Sequence, residues 1–164
     1  MTYQIIPIAE EHIEGFHAVL DFVCREKKYL TFVQAPPLAS TREFIKGNIT
    51  SGQTQLVVVD RERVVGWCDI ISSPSRDSQK HTGVLGTGLL PEYRGKGIGG
   101  KLLRQAIQRA EDKGLTRIEL YVNADNLNAI ALYKKLGFET EGLKRKASCL
   151  NGQYRDVMIM AIVK

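Results

Sequence analysis

The chain has 164 residues, of which 43% are hydrophobic and 25% charged, and its formal net charge is +5. This length suits one domain with a substantial core, so we expect a single domain over residues 1–164. No apolar run approaches the ~18 residues of a membrane span, and residues 1–15 lack the basic and apolar regions of a secretory signal. We therefore expect a cytoplasmic protein with no membrane partner.

The cysteines are odd in number and far apart, which favours free thiols, and the histidines lack metal-binding spacing, so no metal is predicted. These residues are Cys24, Cys68, Cys149, His12, His17 and His81. Basic residues are scattered, apart from small clusters at Arg25-Lys27-Lys28 and Lys144-Arg145-Lys146. They show neither zinc-finger spacing nor an RNA-binding aromatic motif. The positive charge therefore favours an anionic small molecule over nucleic acid, although a nucleic-acid binder stays a rival that salt-dependent binding would reveal.

The first half of the chain is predicted to begin with a strand and an amphipathic helix, followed by a proline-interrupted loop. A second helix follows, capped by Ser40 or Thr41 and ending near Gly47 or Gly52, and then a hairpin around residues 60–62. The predicted ranges are 3–8 for the strand, 10–25 for the helix, 28–40 for the loop, and 54–60 and 63–73 for the hairpin strands.

The second half is predicted to alternate strands and helices before it closes on a hairpin. A glycine-rich strand at 81–90 precedes a helix from Ile98, which carries an apolar stripe on one face and which Gly114 stops. An alternating strand follows at 115–122. A capped helix then runs to Leu136, and two final strands join at Asn151-Gly152, a dipeptide that tolerates positive φ. This order indicates mixed α and β structure over one central sheet.

Seven of the fifteen glycines lie between residues 81 and 100. The amides of residues 95–100, just before a helix N-terminus, would form a concave donor site, and the helix dipole adds partial positive charge there. This arrangement predicts a phosphate-binding loop.

Three phosphate-loop patterns can be compared with this stretch. The nucleotide-triphosphatase pattern GxxxxGK[ST] is absent, because Lys96 is followed by Gly97. Residues 95–100 match GxGxxG literally, and Glu119 lies about where a ribose-binding acid would be sought. However, the predicted elements end in an antiparallel hairpin and do not include the further βα units of a dinucleotide-binding sheet. A dinucleotide-binding loop is therefore the less favoured interpretation.

The third pattern is R-x-x-G-x-G, formed by Arg94, Gly97 and Gly99 after an apolar strand. It closely resembles the acetyl-CoA signature of the GNAT superfamily of N-acetyltransferases. The stretch from Asn126 to Phe138 resembles that superfamily's following motif, and the ending at 141–161 resembles, more weakly, the branch that acetylates amino acids and phosphinothricin-like amines.

This resemblance implies an α/β (α+β) fold with a central mixed, mostly antiparallel sheet of about seven strands, flanked by about four helices. The sheet would splay between the fourth and fifth strands. The resemblance also suggests a homodimer.

The cofactor implied by the resemblance is acetyl-CoA. Its diphosphate would lie on the amides of residues 95–100, with charge from Arg94 and Lys96, although Arg94 could equally be a solvated loop cation. Its pantetheine arm would pair with the edge of the strand at 81–90, and the Leu89 N–H would polarise the thioester carbonyl. The implied cofactor-binding residues are Thr87, Gly88, Leu89, Arg94, Gly95, Lys96, Gly97, Ile98, Gly99, Gly100, Asn126 and Tyr133.

The catalytic residues implied are Leu89, through its backbone, and Tyr133, as proton donor to the departing thiolate. A phenol is a weaker acid than a thiol, so this role favours hydrogen bonding and a phenol pKa lowered by nearby positive charge. Tyr133 could instead simply pack on its helix face, and Asn126 could serve as helix cap, coenzyme contact or both. The proton acceptor is left open: it could be a water chain or one of Asp69, Glu119 and His81, each of which could instead have a structural role.

The expected reaction is direct acetyl transfer, in a ternary complex, to the primary amine of a small molecule such as an amino acid. Candidate acceptor contacts are Tyr29, Phe32, Trp67, Asp69 and Tyr121, although Phe32 and Trp67 could instead fill the core. The alternatives are acetylation of a protein N-terminus or lysine, and a non-catalytic module that binds acyl-CoA.

Overall fold

A seven-stranded sheet forms the centre of the computed structural model, which describes residues 2–73 and 75–164. The strands are β1 (Tyr3–Pro7), β2 (Thr54–Asp60), β3 (Arg63–Ser72), β4 (Thr82–Leu89), β5 (Arg117–Asn123), β6 (Glu139–Leu150) and β7 (Gln153–Val163). The helices are α1 (Ile13–Arg25), α2 (Leu38–Thr50), α3 (Ile98–Asp112) and α4 (Leu127–Lys135). Within the described residues, no helix is both long and apolar enough to cross a bilayer.

The strands lie in the order β1-β2-β3-β4-β5-β7-β6. Every neighbouring pair is antiparallel except β4 and β5, which run parallel. The mixed, mostly antiparallel sheet of seven strands with four helices is therefore confirmed.

The sheet is divided where β4 and β5 separate. Their register joins only the pairs Thr82–Arg117, Gly83–Ile118 and Val84–Glu119 among the described residues. Beyond Val84, β4 continues to Leu89 along β3 while β5 continues to Asn123 along β7. We call the opening between residues 85–89 and 120–123 the slot. It is the predicted splay between the fourth and fifth strands.

Helices cover the two faces of the sheet. On the α1 face, Phe16 packs edge-on against Trp67 with ring centroids 5.6 Å apart. On the opposite face, α3 packs closely against β4 and α4 at Gly99. A Cβ added to Gly99 would lie 3.7 Å from Leu89 Cδ1 on β4 and 3.9 Å from Leu132 Cδ2 on α4. The apolar stripe of α3 that the sequence predicts is buried there. The slot thus connects the face with α1 to the face with α3 and α4.

The second helix begins earlier than its predicted caps. Pro37 is the N-cap of α2, and its carbonyl oxygen accepts the Thr41 N–H at 3.1 Å, so Ser40 and Thr41 lie inside the helix. Proline lacks an N–H that a helix start would leave unpaired, and it is preorganised for this position. The cap prediction was therefore wrong.

The final hairpin contains a bulge that the sequence analysis does not predict. Its turn has positive φ at Asn151 and Gly152, as expected. Between the pairs Lys144–Val157 and Ser148–Arg155, however, residues 145–147 of β6 lie opposite Asp156 alone. The Asp156 carboxylate accepts the Lys146 N–H at 2.8 Å, which closes this bulge.

Candidate active site

The glycine loop forms the N-terminal end of α3. Gly95 and Gly97 have φ of +69° and +81°, in the left-handed region that favours glycine. Gly97 occupies the N-cap position and has no side chain to accept a hydrogen bond, and no side chain of the described residues accepts the first-turn amides of residues 98–100. Ile98 is buried and Gly97 is exposed, so the backbone here presents donors at the surface. This geometry provides the anion-binding end that the sequence predicts.

Backbone amides of β4 face the slot, where β5 provides no ladder partner beyond Val84 among the described residues. The Leu90 N–H donates to the Val65 carbonyl at 2.9 Å, so the Leu90 amide points toward β3. Along β4, successive amides point alternately toward β3 and away from it. By that alternation the Gly88 amide faces β3, whereas the amides of Thr87 and Leu89 face the slot. The Thr87 hydroxyl is used elsewhere, because it donates to the Trp67 carbonyl at 2.8 Å.

Two β4 glycines are required by packing inside the protein. A Cβ at Gly88 would lie 2.4 Å from the Trp67 ring, and a Cβ at Gly83 would lie 2.6 Å from Ile70. The β3 side chains that lie across β4 therefore require glycine at these two positions, whether or not a ligand binds there.

Arg94 is held by the protein itself. Its guanidinium donates to both carboxylate oxygens of Glu26, at 3.0 and 2.5 Å, and its Nε donates to the Leu89 carbonyl at 3.0 Å. The alternative of a solvated loop cation was therefore wrong. Lys96 is exposed and has no ion-pair partner among the residues that the structure describes.

Tyr133 lies on α4, buried near Cys68 and edge-on to the Phe138 ring. Burial, with a smaller contribution from Cys68, raises the pKa of Tyr133 to about 12. The expectation of a lowered phenol pKa was therefore wrong. Asn126 caps α4 as predicted, since its Oδ1 accepts the Ala129 N–H at 3.3 Å.

The three candidate proton acceptors occupy different positions. Glu119 belongs to the last pair before the slot, its Oε2 accepts from Arg117 at 2.8 Å, and its Oε1 lies 3.3 Å from the Tyr121 hydroxyl. Asp69 is buried opposite Gly86, and burial raises its pKa to about 7. His81 is exposed before the start of β4, at the far end from Leu89.

A groove of about 640 Å³ lies between the loop after α1 and the strands β5, β6 and β7. Its charged lining residues are all cations, with no Asp or Glu among the described residues that line it. They are Lys27, Lys144, Arg145 and Arg155. Tyr121 forms part of the lining, and Lys144 Nζ lies 5.1 Å from its ring centre.

The other acceptor candidates are dispersed. Trp67 is only 3% exposed and belongs to the core, which was one of its two expected roles. Phe32 is 64% exposed, so the alternative that it fills the core was wrong. Tyr29 stacks on Arg94, with the guanidinium carbon 4.9 Å from its ring centre. Of the five candidates, Tyr121 is the one that lines the groove.

Several residues of this site carry no local sequence signal. Asn123 Nδ2 and Arg155 Nη1 donate to the Lys28 carbonyl at 2.8 and 3.1 Å and hold the loop after α1 over the groove. These partners lie 95 and 127 residues apart in sequence, so no local pattern links them. The two basic clusters of the sequence, Arg25-Lys27-Lys28 and Lys144-Arg145-Lys146, were the available signals, since Lys27, Lys144 and Arg145 line the groove.

Comparison with known proteins identifies relatives of the chain. The model of the acetyltransferase (GNAT) family matches residues 20–138. The L-amino acid N-acetyltransferase AaaT of Escherichia coli is 36% identical over 114 residues, which cover 69% of this chain and 70% of that protein. The spermidine N(1)-acetyltransferase of Escherichia coli is 42% identical over 77 residues, 44% of this chain and 39% of that protein. For several such relatives the chain thus spans well under two thirds of their length.

Solved structures share the fold. An acetyltransferase of Streptococcus pneumoniae has a TM-score of 0.92 at 23% identity, over 99% of this chain and 100% of that one. A phosphinothricin acetyltransferase of Sinorhizobium meliloti, solved in complex with acetyl-CoA, has a TM-score of 0.91 at 22% identity, over 99% and 89% of the two chains. With the family match over most of the sequence, these findings show that the chain belongs to the acetyltransferase (GNAT) family.

Proposed function

We propose that this protein transfers the acetyl group of acetyl-CoA to the primary amine of a small molecule, an amino acid or a related amine. The observation that carries this proposal is the combination of an uncapped helix N-terminus with the slot beside it. Family membership and the amino-acid N-acetyltransferase relative support the same reaction.

The residues of the loop and slot fit acetyl-CoA. The amides of residues 95–100 suit a diphosphate, because they combine several donors with the positive end of α3. The slot-facing amides of Thr87 and Leu89 suit the carbonyl groups of an extended arm, as an added strand would. When bound, acetyl-CoA would supply a thioester. Attack of the neutral amine nitrogen on its acetyl carbon would form the amide and break the carbon–sulfur bond, while the nitrogen releases one proton and the leaving thiolate takes up one.

Two groups would act on the thioester side of the slot. The Leu89 N–H would stabilise negative charge that develops on the carbonyl oxygen. The Tyr133 hydroxyl would donate a hydrogen bond to the leaving sulfur. With its pKa near 12 and a thiol pKa near 8.5, complete proton transfer is uphill by roughly 3 to 4 units, about 5 kcal/mol. Tyr133 therefore acts as a hydrogen-bond donor, and the thiolate takes its proton from solvent.

The amine must lose a proton before it attacks, and Glu119 is the acceptor that we favour. It lies where the slot opens, and its contact with the Tyr121 hydroxyl links it to the groove. Asp69 is the second candidate, because a pKa near 7 suits a general base. Neither carboxylate lines the groove, but Glu119 contacts the groove residue Tyr121, whereas Asp69 is buried opposite Gly86. Their Gln and Asn variants separate the two, since loss of the base flattens the rise of kcat/KM with pH.

The groove favours an acceptor that carries an anionic group beside its amine. Four cations line the groove and no carboxylate does among the residues that the structure describes, so the groove would attract a carboxylate and repel a polyamine. A protein N-terminus has no carboxylate next to its amine, so the groove also favours a free amino acid over a protein substrate. The spermidine-acetylating relative therefore provides a less suitable guide to the acceptor than the amino-acid one.

The test is release of free thiol from acetyl-CoA in the presence of amino acids, the matching amino-acid amides, polyamines and short peptides. We expect turnover with at least one amino acid and much weaker turnover with its amide, which keeps the amine and loses the carboxylate. Calorimetry with acetyl-CoA provides the control for cofactor binding. The absence of heat from the folded protein would contradict the proposal, and equal turnover of acid and amide would contradict the acceptor class alone.

A further inference from the structure

We propose that the ion pair between Glu26 and Arg94 couples cofactor binding at the glycine loop to the position of the acceptor loop, residues 26–37. In this arrangement Glu26 is a positioning residue, which acts through Arg94 and touches no reacting atom. The inference rests on the proposed function for the identity of the cofactor. The pair itself is a feature of the fold.

The Arg94 guanidinium joins three parts of the site. It immediately precedes the glycine loop, its Nε binds the Leu89 carbonyl on the slot edge of β4, and its two terminal nitrogens bind Glu26 at the end of α1. The side chains of Arg94 and Glu26 are 30% and 18% exposed. A bidentate pair with this much shielding has a more defined geometry than a fully solvated surface pair.

The acceptor loop is also attached at the groove. The Lys28 carbonyl accepts hydrogen bonds from Asn123 and Arg155, and the next residue, Tyr29, stacks on the Arg94 guanidinium. Leu30 and Thr31 follow and line the groove. The loop that forms one wall of the groove is therefore held between Arg94 on one side and β5 and β7 on the other.

This arrangement has a thermodynamic consequence. Phosphate binding at residues 95–100 would restrict the backbone next to Arg94, and the bidentate pair would pass that restriction to Glu26 and the acceptor loop. Coupling between two sites is reciprocal, so an acceptor that orders the loop would also strengthen cofactor binding. Without the Glu26 carboxylate, the two sites would bind independently.

The test is amide hydrogen exchange of residues 26–33, with and without coenzyme A, in the full chain. In the wild-type protein we expect coenzyme A to slow exchange in this segment by about 5- to 10-fold, the scale of typical site-to-site coupling. In Glu26→Gln we expect less than a twofold change at saturating coenzyme A. Glu111→Gln is the matched control, because it removes a carboxylate at the distant end of α3, and it should behave as the wild type.

Two further variants distinguish positioning from general destabilisation. Glu26→Asp keeps the charge and should retain part of the coupling, whereas Arg94→Lys loses the bidentate geometry and should behave like Glu26→Gln. In kinetics, Glu26→Gln should raise the acceptor KM more than it weakens coenzyme A binding measured by calorimetry.

These experiments distinguish a failure of the coupling proposal from a failure of the proposed function. If the wild type binds coenzyme A and Glu26→Gln shows the same protection of residues 26–33, the coupling proposal is overturned while the function stands. If the wild type gives no heat with coenzyme A, the proposed function fails, and the coupling fails with it.

Discussion

Tyr133 illustrates how one buried side chain limits the chemistry available to it. Its hydroxyl lies among apolar groups, which disfavour the phenolate and raise the phenol pKa to about 12. A group that stays protonated at neutral pH can donate a hydrogen bond to a forming thiolate in every turnover. It is a poor source of a whole proton, so its contribution should equal that of one charge-assisted hydrogen bond.

Tyr133→Phe is expected to lower kcat by about 10- to 100-fold, because a hydrogen bond to a charged group is worth roughly 1.5–3 kcal/mol. The affinity for acetyl-CoA should stay nearly unchanged. Steady-state kinetics and calorimetry measure the two quantities, with Tyr3→Phe on the remote strand β1 as the control. In the wild type, ionisation of Tyr133 should not reduce kcat below about pH 10. Equal turnover of the variant and the wild type at every pH would remove this role.

Local sequence was sufficient to predict the conformation of some site residues but not the environment of others. The left-handed Gly97 and the Asn126 cap follow from neighbours within four positions, so a pattern could predict them. The environment of Tyr133 depends on Cys68 from a distant strand, and the Arg94–Glu26 pair spans 68 residues. Burial and tertiary ion pairs of this kind determine pKa values and charge availability, and no local pattern encodes them.

At the scale of elements, the glycine loop determines how accessible the N-terminal end of α3 is. Gly97 combines a left-handed backbone with an exposed position, and a Cβ there would have no protein neighbour within 4 Å. A side chain at this residue would therefore strain the backbone and also project into the space in front of the first-turn amides.

Gly97→Val is expected to weaken coenzyme A binding by at least tenfold and to cost about 1–3 kcal/mol of stability from the positive φ. Calorimetry and urea denaturation measure the two effects. Gly47→Ala, within α2 and with open space around its Cβ, is the control and should raise stability by up to about 1 kcal/mol. A folded Gly97→Val variant that binds coenzyme A as tightly as the wild type would contradict this placement.

The bulge in β6 makes a separate prediction for the acceptor side. It inserts Arg145 into the groove lining, and the Asp156 carboxylate holds it through the Lys146 N–H. Asp156→Ala should raise the acceptor KM several-fold, leave the acetyl-CoA KM unchanged, and cost about 1 kcal/mol of stability. Asp156→Asn keeps an oxygen acceptor and should stay close to the wild type. An equal rise in both KM values would show that the bulge does not act on the acceptor alone.

The strand and helix pattern was largely predictable because each element carries its own signal, such as the buried stripe of α3 and the Asn151-Gly152 turn. The start of α2 and the bulge were not. Pro37 begins the helix through its backbone alone, while Ser40 and Thr41 offered a more usual cap. The bulge depends on Asp156 in the partner strand, and strand pairing is not visible in either strand's own alternation.

For the molecule as a whole, the buried Asp69 predicts a pH dependence of folding. Its folded-state pKa of about 7 lies above the ordinary aspartate value of 3.8, so the folded chain retains a proton that the unfolded chain releases between these pH values. The stability that this group contributes is therefore complete below about pH 4 and is lost as pH rises through about 7.

In urea denaturation, Asp69 should make the wild type about 2–3 kcal/mol less stable at pH 8 than at pH 5. Asp69→Asn removes this ionisation, so its stability should fall less over the same interval. Asp77→Asn alters an exposed carboxylate and should retain the wild-type slope. If the slopes of Asp69→Asn and the wild type coincide, the Asp69 carboxyl is not held neutral by burial.

The slot has a consequence for how the protein meets other proteins. A strand with an unpaired edge usually allows another polypeptide to add to the sheet, and aggregation can follow. Here the part of β4 beyond Val84 faces β5 of the same sheet and begins where the two strands part. A foreign strand would have to enter between two strands of one sheet, whereas an outer edge is open on one side. Opening the sheet in its middle, instead of leaving an outer edge bare, would thus favour backbone hydrogen bonds to a slender ligand over the addition of a neighbouring chain.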